Sequence, residues 1–337
     1  MSTLSQDSRI TMSPNRISNS LFVIYTLKGK GHSHPRVGYI NQQGVEIIAA
    51  QFDDGLNFSE GLAAVKLNKK WGFINESGRF VIPPILPSCS KFHDGLAKMY
   101  RRHWGFINRS GEVAIEHKYS QVFDFSEGLA AVQLNDKFGF IDQSGTQVIS
   151  LIYDDARSFS EGLAAIKVNG AWGYINQSGE VAIPAQFKTE DLKAALHFVD
   201  GIGRVPIHKK FSYINRKGEV IIPSEFDQAG PYSEGIACVS INDNYGYIDK
   251  AGRVMIAMRF PDASDFRNGR ARVRLGERYG FINHDGEVVI APQFWGAENF
   301  EDGLCWLETE TTVGYITPNG DYVWQGPYVE SRWGSSR

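Results

Sequence analysis

A chain of 337 residues, 42% hydrophobic and 22% charged, can bury a sizeable core and has the balance of a soluble globular protein. Its net charge of −3 and pI of about 6.3 offer no global attraction for nucleic acid or an anionic membrane, and no segment approaches the roughly 20 apolar residues that cross a bilayer. Cys89, Cys238 and Cys305 lie too far apart for a disulfide framework and fit a reducing compartment.

The chain begins with a polar, Ser-rich stretch from Met1 to Ser20 that lacks the apolar core of a secretory signal. Residues 1–17 are expected to be disordered, and the cytoplasm is the default location. Export by a route that needs only a polar N-terminus is the alternative. An apolar strand follows, Leu21–Tyr25, and then a Gly-rich loop holding His32 and His34. This segment reads as a partial unit capping an array. The two histidines lack the third and fourth ligand a metal site needs, so a loop is the preferred reading and no metal or cofactor is expected.

From Val37 onward one motif recurs. Trp71-Gly72-Phe73-Ile74-Asn75-Glu76-Ser77-Gly78 returns at Trp104, Phe138, Trp172, Tyr245 and Tyr279, and in weaker form at Val37, Phe211 and Val313. Its second position advances in steps of 34, 33, 34, 34, 39, 34, 34 and 34, and is Gly in eight copies and Ser212 in the sixth. A second signature, aromatic-x-x-Gly, keeps the same beat from Phe58 and Gly61 to Phe300 and Gly303. Rigid spacing of this kind marks a tandem repeat, here of nine units.

Within a unit the elements are strands. Leu62–Leu67 alternates with period two, Asn68-Lys69-Lys70 turns, and Trp71–Asn75 is aromatic and β-branched. Glu76-Ser77-Gly78 turns again into Arg79–Ile82, which Pro83 and Pro84 end. Gly78 and its equivalents are expected at positive φ, with Asn75 hydrogen-bonding the backbone two residues on. The link to the next unit carries aromatics six apart, such as Phe52 and Phe58, read as buried plugs. The Trp-Gly aromatic is expected to stack along the array, its bare glycine letting a neighbour close in.

One irregularity interrupts the beat. Five extra residues fall within Lys188–His197, where Thr189 can cap a short helix, and this copy also holds Ser212. A tolerated loop is the plain reading. If function is concentrated anywhere it is expected here, with Lys188, Glu190, Asp191, His197, Lys209 and Lys210 as partner-binding candidates. An enzymatic site around Lys188–His208 is a third reading, tested by substituting Glu190, Asp191, His197 and His208.

The array is expected to run from residue 18 to 325, with a tail over 326–337. Elsewhere no nucleophile signature, Walker loop or dinucleotide fingerprint stands in the right context. Cys238 and Cys305 fall where sister copies carry Ala, as small buried hydrophobes do. Acids recur in the aromatic-x-x-Gly turn (Glu60, Asp94, Glu127, Glu161, Asp200, Glu234, Asp302), and bases recur before the Trp-Gly aromatic (Lys69, Lys70, Arg101, Arg102, Lys137, Lys209, Lys210, Arg278). Both rows read as solvated turns, with a partner-reading charged stripe as the alternative.

These residues resemble the bacterial WG (or KWG) repeat family over Val37–Val323. The literal signature is carried by Trp71-Gly72, Trp104-Gly105 and Trp172-Gly173, whereas Val37, Val313 and Phe211-Ser212 depart from it. The resemblance implies a β-repeat architecture with an interaction role and names no reaction. All-β hairpin repeats of this length favour an open β-solenoid, since propeller blades usually take 40–45 residues and number four to eight; a closed β-propeller is the alternative. The expected function is a non-enzymatic protein-interaction scaffold, with cell-wall glycan binding through exposed tryptophans as the alternative. A partner protein could be a bacterial toxin, making this an immunity protein, or a host protein, making it an effector.

Overall fold

In the computed structural model every regular element among the described residues is a β-strand. The structure describes residues 20–26, 35–188, 197–207 and 209–328. The expected disordered start, His32, His34, the Thr189 cap, Glu190, Asp191, His208 and most of the tail lie outside the described residues.

The second sheet shows how one unit folds. A two-residue stub, Asp54–Gly55, is followed by Leu62–Leu67, Lys70–Asn75 and Phe80–Leu86, all antiparallel and adjacent in chain order. We call these the inner, second, third and outer strands. Nine such sheets succeed one another among the described residues, and they are numbered here as blades 1 to 9. Blades 1 and 8 have three strands; in blade 8 the inner strand shrinks to a single bridge between Ala263 and Val273.

Local chemistry explains the hairpins. Asn68 and Lys69 both take positive φ, as a two-residue turn matched to strand twist requires. At the next turn the Asn75 carboxamide oxygen accepts the backbone N–H groups of Ser77 at 3.1 Å and Arg79 at 3.0 Å, and Gly78 sits at φ 78°. Both turn expectations hold.

The blades close into a ring, so the favoured solenoid gives way to its alternative, the β-propeller. Blade 9 packs on blade 1 in one apolar cluster that joins Phe22, Ile24 and Ile40 to Leu304 and Tyr315. No strand near one end of the chain enters the sheet of the other among the described residues. Side chains, not a shared sheet, seal the ring. Residue count misled because a usual blade has four full strands, whereas here the inner strand is reduced to a two-residue stub in most blades.

The repeat frame and the blade frame are offset. Each sequence unit supplies the third and outer strands of one blade, then the inner and second strands of the next. The segment read as a cap, Phe22–Thr26, is therefore the second strand of blade 1, pairing Phe22 with Ile40.

Side-chain size follows the wedge shape of the gaps. Second strands bury small residues such as Ala63 and Ala64, where radial sheets converge; third strands bury Phe73 and Ile74, where they diverge. The outer strands carry most of the exposed apolar residues and form the rim.

The Trp-Gly pair works differently from expectation. Trp71 pairs across to Leu86 and Phe73 to Ile82, so the outer strand bulges over the intervening Gly72. A Cβ on Gly72 would lie 2.6 Å from the Ile82 carbonyl oxygen, and the same squeeze recurs at Gly139 and Gly246. Backbone closes in, as foreseen. The ring that bridges units is the next aromatic, in tilted or edge-on contact: Phe73 meets Phe92 at 4.7 Å, Phe106 meets Phe125 at 4.9 Å, and Phe140 meets Phe159 at 4.9 Å, each in the following blade. The Trp-Gly ring instead lies opposite the end of its own outer strand, as Trp71 does to Leu86.

Candidate interaction surfaces

The acidic row turns out to be a set of clamps. In the inner-to-second turns that carry an acid, the acid and the following glycine both take positive φ, for example Glu127 at 55° and Gly128 at 80°. A glutamate held there is strained by roughly 1 kcal/mol. Its carboxylate explains the choice: Glu127 accepts the backbone N–H of Gly162 at 2.9 Å and the Gln177 amide at 3.0 Å, both in the next blade. Glu60 takes Gly95 and Arg109, and Glu161 takes Gly201 and Arg216 in the same way. At the seam Asp302 of blade 9 accepts the Ser20 hydroxyl at 2.7 Å, and its carbonyl accepts the Gln42 amide of blade 1. These acids hold neighbouring blades together.

The basic row lies on the opposite face, at the second-to-third turns, and part of it is also engaged. Lys137 pairs with Asp154 at 2.7 Å and Lys210 pairs with Asp227. The Lys210 ammonium holds the Asp227 carboxyl below its usual range, helped by the Asn242 backbone N–H. Lys137 does the same for Asp154. Arg278 lies over the ring of Trp295.

Of the six residues foreseen as a site, Lys188, His197, Lys209 and Lys210 are described. Lys188 is exposed at the end of the blade 5 outer strand, and Lys209 and Lys210 sit at the turn of blade 6 on the same face. His197 is turned inward between blades 5 and 6. Burial, then the neighbouring charges of Arg204 and Arg157, holds its imidazole below the usual range. Glu190 and Asp191 lie outside the described residues.

The inner wall carries charge that periodicity did not reveal. One position of the second strand is Ala in blades 2, 4 and 5, but Lys98, Arg204 and Arg272 in blades 3, 6 and 8. Each reaches the next blade: Lys98 pairs with Asp124 at 2.9 Å, Arg204 donates to the Ala229 carbonyl, and Arg272 donates to that of Ala297 at 2.7 Å. Burial raises the carboxyl pKa of Asp265, with Arg204 and Arg267 opposing it.

A depression of about 400 Å³ opens among the inner turns of blades 7 to 9, lined by Glu234, Arg267, Glu301 and Asp302 with Ser233, Asn268 and Phe300. Arg267 and Glu301 stand where Ser59, Ser126, Ser160 and Ser233 donate to the next blade's backbone. Departure from the Phe-Ser-Glu-Gly pattern is the sequence signal that marks them. Among the described residues no three His, Cys, Asp or Glu side chains gather as a metal site would need, and no helix is long and apolar enough to cross a membrane. The three cysteines are free thiols; burial pushes Cys89 and Cys238 up to about 12.

The third surface is the rim. Every outer strand exposes at least one large apolar side chain: Ile47, Val81, Val113, Val148, Val181, Ile221, Met255, Val289 and Tyr322, one from each blade in turn.

Radial antiparallel sheets of three or four strands, closed in a ring, define a β-propeller of nine blades. The chain belongs to the family of WG containing repeat proteins, whose repeat matches residues 38–71, 71–99, 104–138, 138–170, 172–205, 211–245, 245–279 and 279–309. None of the curated proteins matches it. Among solved structures, a crystal structure of the eukaryotic initiation factor is 10% identical with a TM-score of 0.65, over 92% of this chain and 96% of that one. That likeness concerns the fold alone. PorZ of the Porphyromonas gingivalis type-IX secretion system (10% identity, TM-score 0.36, 92% of this chain and 50% of that) and Kluyveromyces lactis Hsv2 (8%, 0.35, 80% and 95%) are more distant in shape.

Proposed function

We propose that this protein is a non-enzymatic scaffold whose rim docks a partner protein in a reducing compartment. The observation that carries this reading is the apolar belt, present on the outer strand of every blade. The repeated acids are occupied in holding blades together, which leaves the rim as the surface with unspent binding capacity. Three free thiols fit the compartment.

Glycan binding would call for several solvent-facing indoles. Trp172 is buried and Trp71, Trp104, Trp306 and Trp324 are half-buried, while the exposed Trp295 lies under Arg278. That distribution favours a protein partner.

Capture from native lysate, read by mass spectrometry, tests the proposal with the wild-type chain and a Met255→Lys/Val289→Lys variant. A protein held by the first and lost by the second is the expected result; its identity separates a toxin from a host protein. A wild type that retains nothing, or binding indifferent to the rim charges, overturns the reading.

A further inference from the structure

The basic turns lie on a face separate from the apolar rim, and several of them are neutralised by one device. The residue that opens the third strand pairs with an acid 17 positions later: Arg36 with Asp53 in blade 1, Lys137 with Asp154 in blade 4, and Lys210 with Asp227 in blade 6. In blade 8 the same step brings Arg278 over the ring of Trp295. Blades 2 and 3 lack the device side by side. Pro87 stands where Lys70 would meet its acid, and Ser120 takes that place in blade 3, where Arg101 and Arg102 precede the third strand. Lys69, Lys70, Arg101 and Arg102 are all exposed, and among the described residues none of the four is held by a carboxylate.

Two of the four cations also sit against the preference of the backbone. Lys69 holds φ 65° at the turn position where blades 4, 5 and 7 have Asp136, Gly170 and Asp243, and Arg102 holds φ 70° in a tighter turn. Gly, Asn and Asp take that conformation most readily, so a cation is not there for the sake of the turn. Among the described residues Lys209 of blade 6 is the only other cation so placed, and Lys210 beside it has its acid. The run of free charge ends on both sides. Blade 1 offers the neutralised pair of Arg36 and Asp53, and blade 4 adds the exposed Asp136 to its own pair. A long polyanion finds no continuation beyond two turns, whereas a short acidic stretch is matched in charge.

We propose that the second-to-third turns of blades 2 and 3 form a docking surface for an acidic segment of a partner protein, with Lys69, Lys70, Arg101 and Arg102 supplying the charge. Carboxylates of the partner take the place of the acids missing at Pro87 and Ser120. This surface is separate from the rim, and either can fail without the other.

Fluorescence anisotropy of labelled oligoglutamate titrated with the full chain tests it, with labelled oligothymidylate as the alternative polyanion. The wild type is expected to bind oligoglutamate, less tightly as salt is raised, and to bind oligothymidylate more weakly. Lys69→Asp/Arg102→Gly reduces the oligoglutamate affinity roughly tenfold. It melts at or above the wild-type temperature, because sister turns carry Asp or Gly in that conformation. Lys70→Glu, which leaves both turns as they are, lowers the affinity severalfold. Lys217→Glu, at an exposed lysine of the opposite face, leaves it unchanged. A wild type that leaves oligoglutamate unbound, a Lys69→Asp/Arg102→Gly chain that binds as tightly as wild type, or an equal loss in Lys217→Glu overturns the proposal. So does tighter binding of oligothymidylate through the same residues, since the occupant is then a nucleic acid.

Discussion

Tyr315 donates its hydroxyl to the carbonyl of Val23 at 2.9 Å across 292 residues of chain, and its ring lies 5.5 Å from that of Phe22. Elsewhere in the ring the same strand position contacts the aromatic of the following blade's inner turn, as Tyr39 meets Phe58 at 5.1 Å. Blade 1 has no described inner strand, so Phe22 of its second strand takes that place. The seam is thus built from the ordinary interblade contact with one substitution.

The seam makes the first prediction. Tyr315→Phe leaves a carbonyl without its donor and is expected to lower stability by about 1–2 kcal/mol. Truncating the buried ring in Phe22→Ala is expected to remove about 3–5 kcal/mol. Urea unfolding followed by tryptophan fluorescence measures both. Wild-type midpoints for both variants would show that the ring does not depend on its seam.

A second concerns the Trp-Gly glycine. At Gly139 a Cβ would lie 2.6 Å from the Ile149 carbonyl oxygen and 2.7 Å from that of Ser150. Gly139→Val is therefore expected to lower stability by more than about 3 kcal/mol. Lys137→Ala breaks an exposed pair with Asp154 and should cost under about 1 kcal/mol. Similar melting temperatures for the two would mean that the bulge over glycine is readily displaced.

The clamps supply a third, with an internal control. Glu127→Ala loses two interblade hydrogen bonds and keeps the unfavourable φ of 55°; Glu127→Gly loses the same bonds but relieves the backbone. Glycine should be the more stable of the two by about 1 kcal/mol, with both below wild type. Equal values would remove backbone strain from the account, and a neutral Glu127→Ala would remove the clamp.

Protonation gives a fourth. His197 titrates below its ordinary value in the folded state, so between that lowered pKa and about 6.5 the unfolded chain binds the extra proton. Stability from this group falls as pH drops below about 6.5, and His197→Gln should flatten that part of the profile. Asp142, Asp227 and Asp249 act in the same direction lower down: their depressed pKa values stabilise the fold above about 3.9, and this is lost as pH falls through the folded values. Tyr39, Tyr213 and Tyr247 are raised by burial, so stability declines above about pH 10 as the unfolded phenols ionise. A His197→Gln profile parallel to wild type near neutrality would contradict the first of these.

Part of the interaction surface could be read from one unit and part could not. The turn at Asn75 and the strain-relieving Gly78 were legible because an Asx turn and a positive φ depend on a few adjacent residues. Glu127 was visible as a recurring acid, yet its partner Gln177 lies 50 residues away and in another blade. A clue was present in the residue type: a two-residue turn prefers Asn or Asp before Gly, and Glu in that place implies a partner that compensates for the strain. Lys188, Lys209 and Lys210 were chosen for their proximity in sequence, and the fold distributes them over two blades while turning His197 inward.

The sequence by itself determined the strands, the turns, the number of units and the family, because each of these is settled by chemistry repeating within 34 residues. Ring closure and the offset of blades from repeats were decided by tertiary structure alone. The physical reason is that they depend on the angle between neighbouring sheets. That angle comes from side-chain volume across the interface, with Ala63 and Ala64 near the axis and Phe73 farther out, and from clamps such as Glu127 to Gly162. A small difference per blade, summed over nine, separates an open stack from the closed ring that brings Tyr315 onto Phe22.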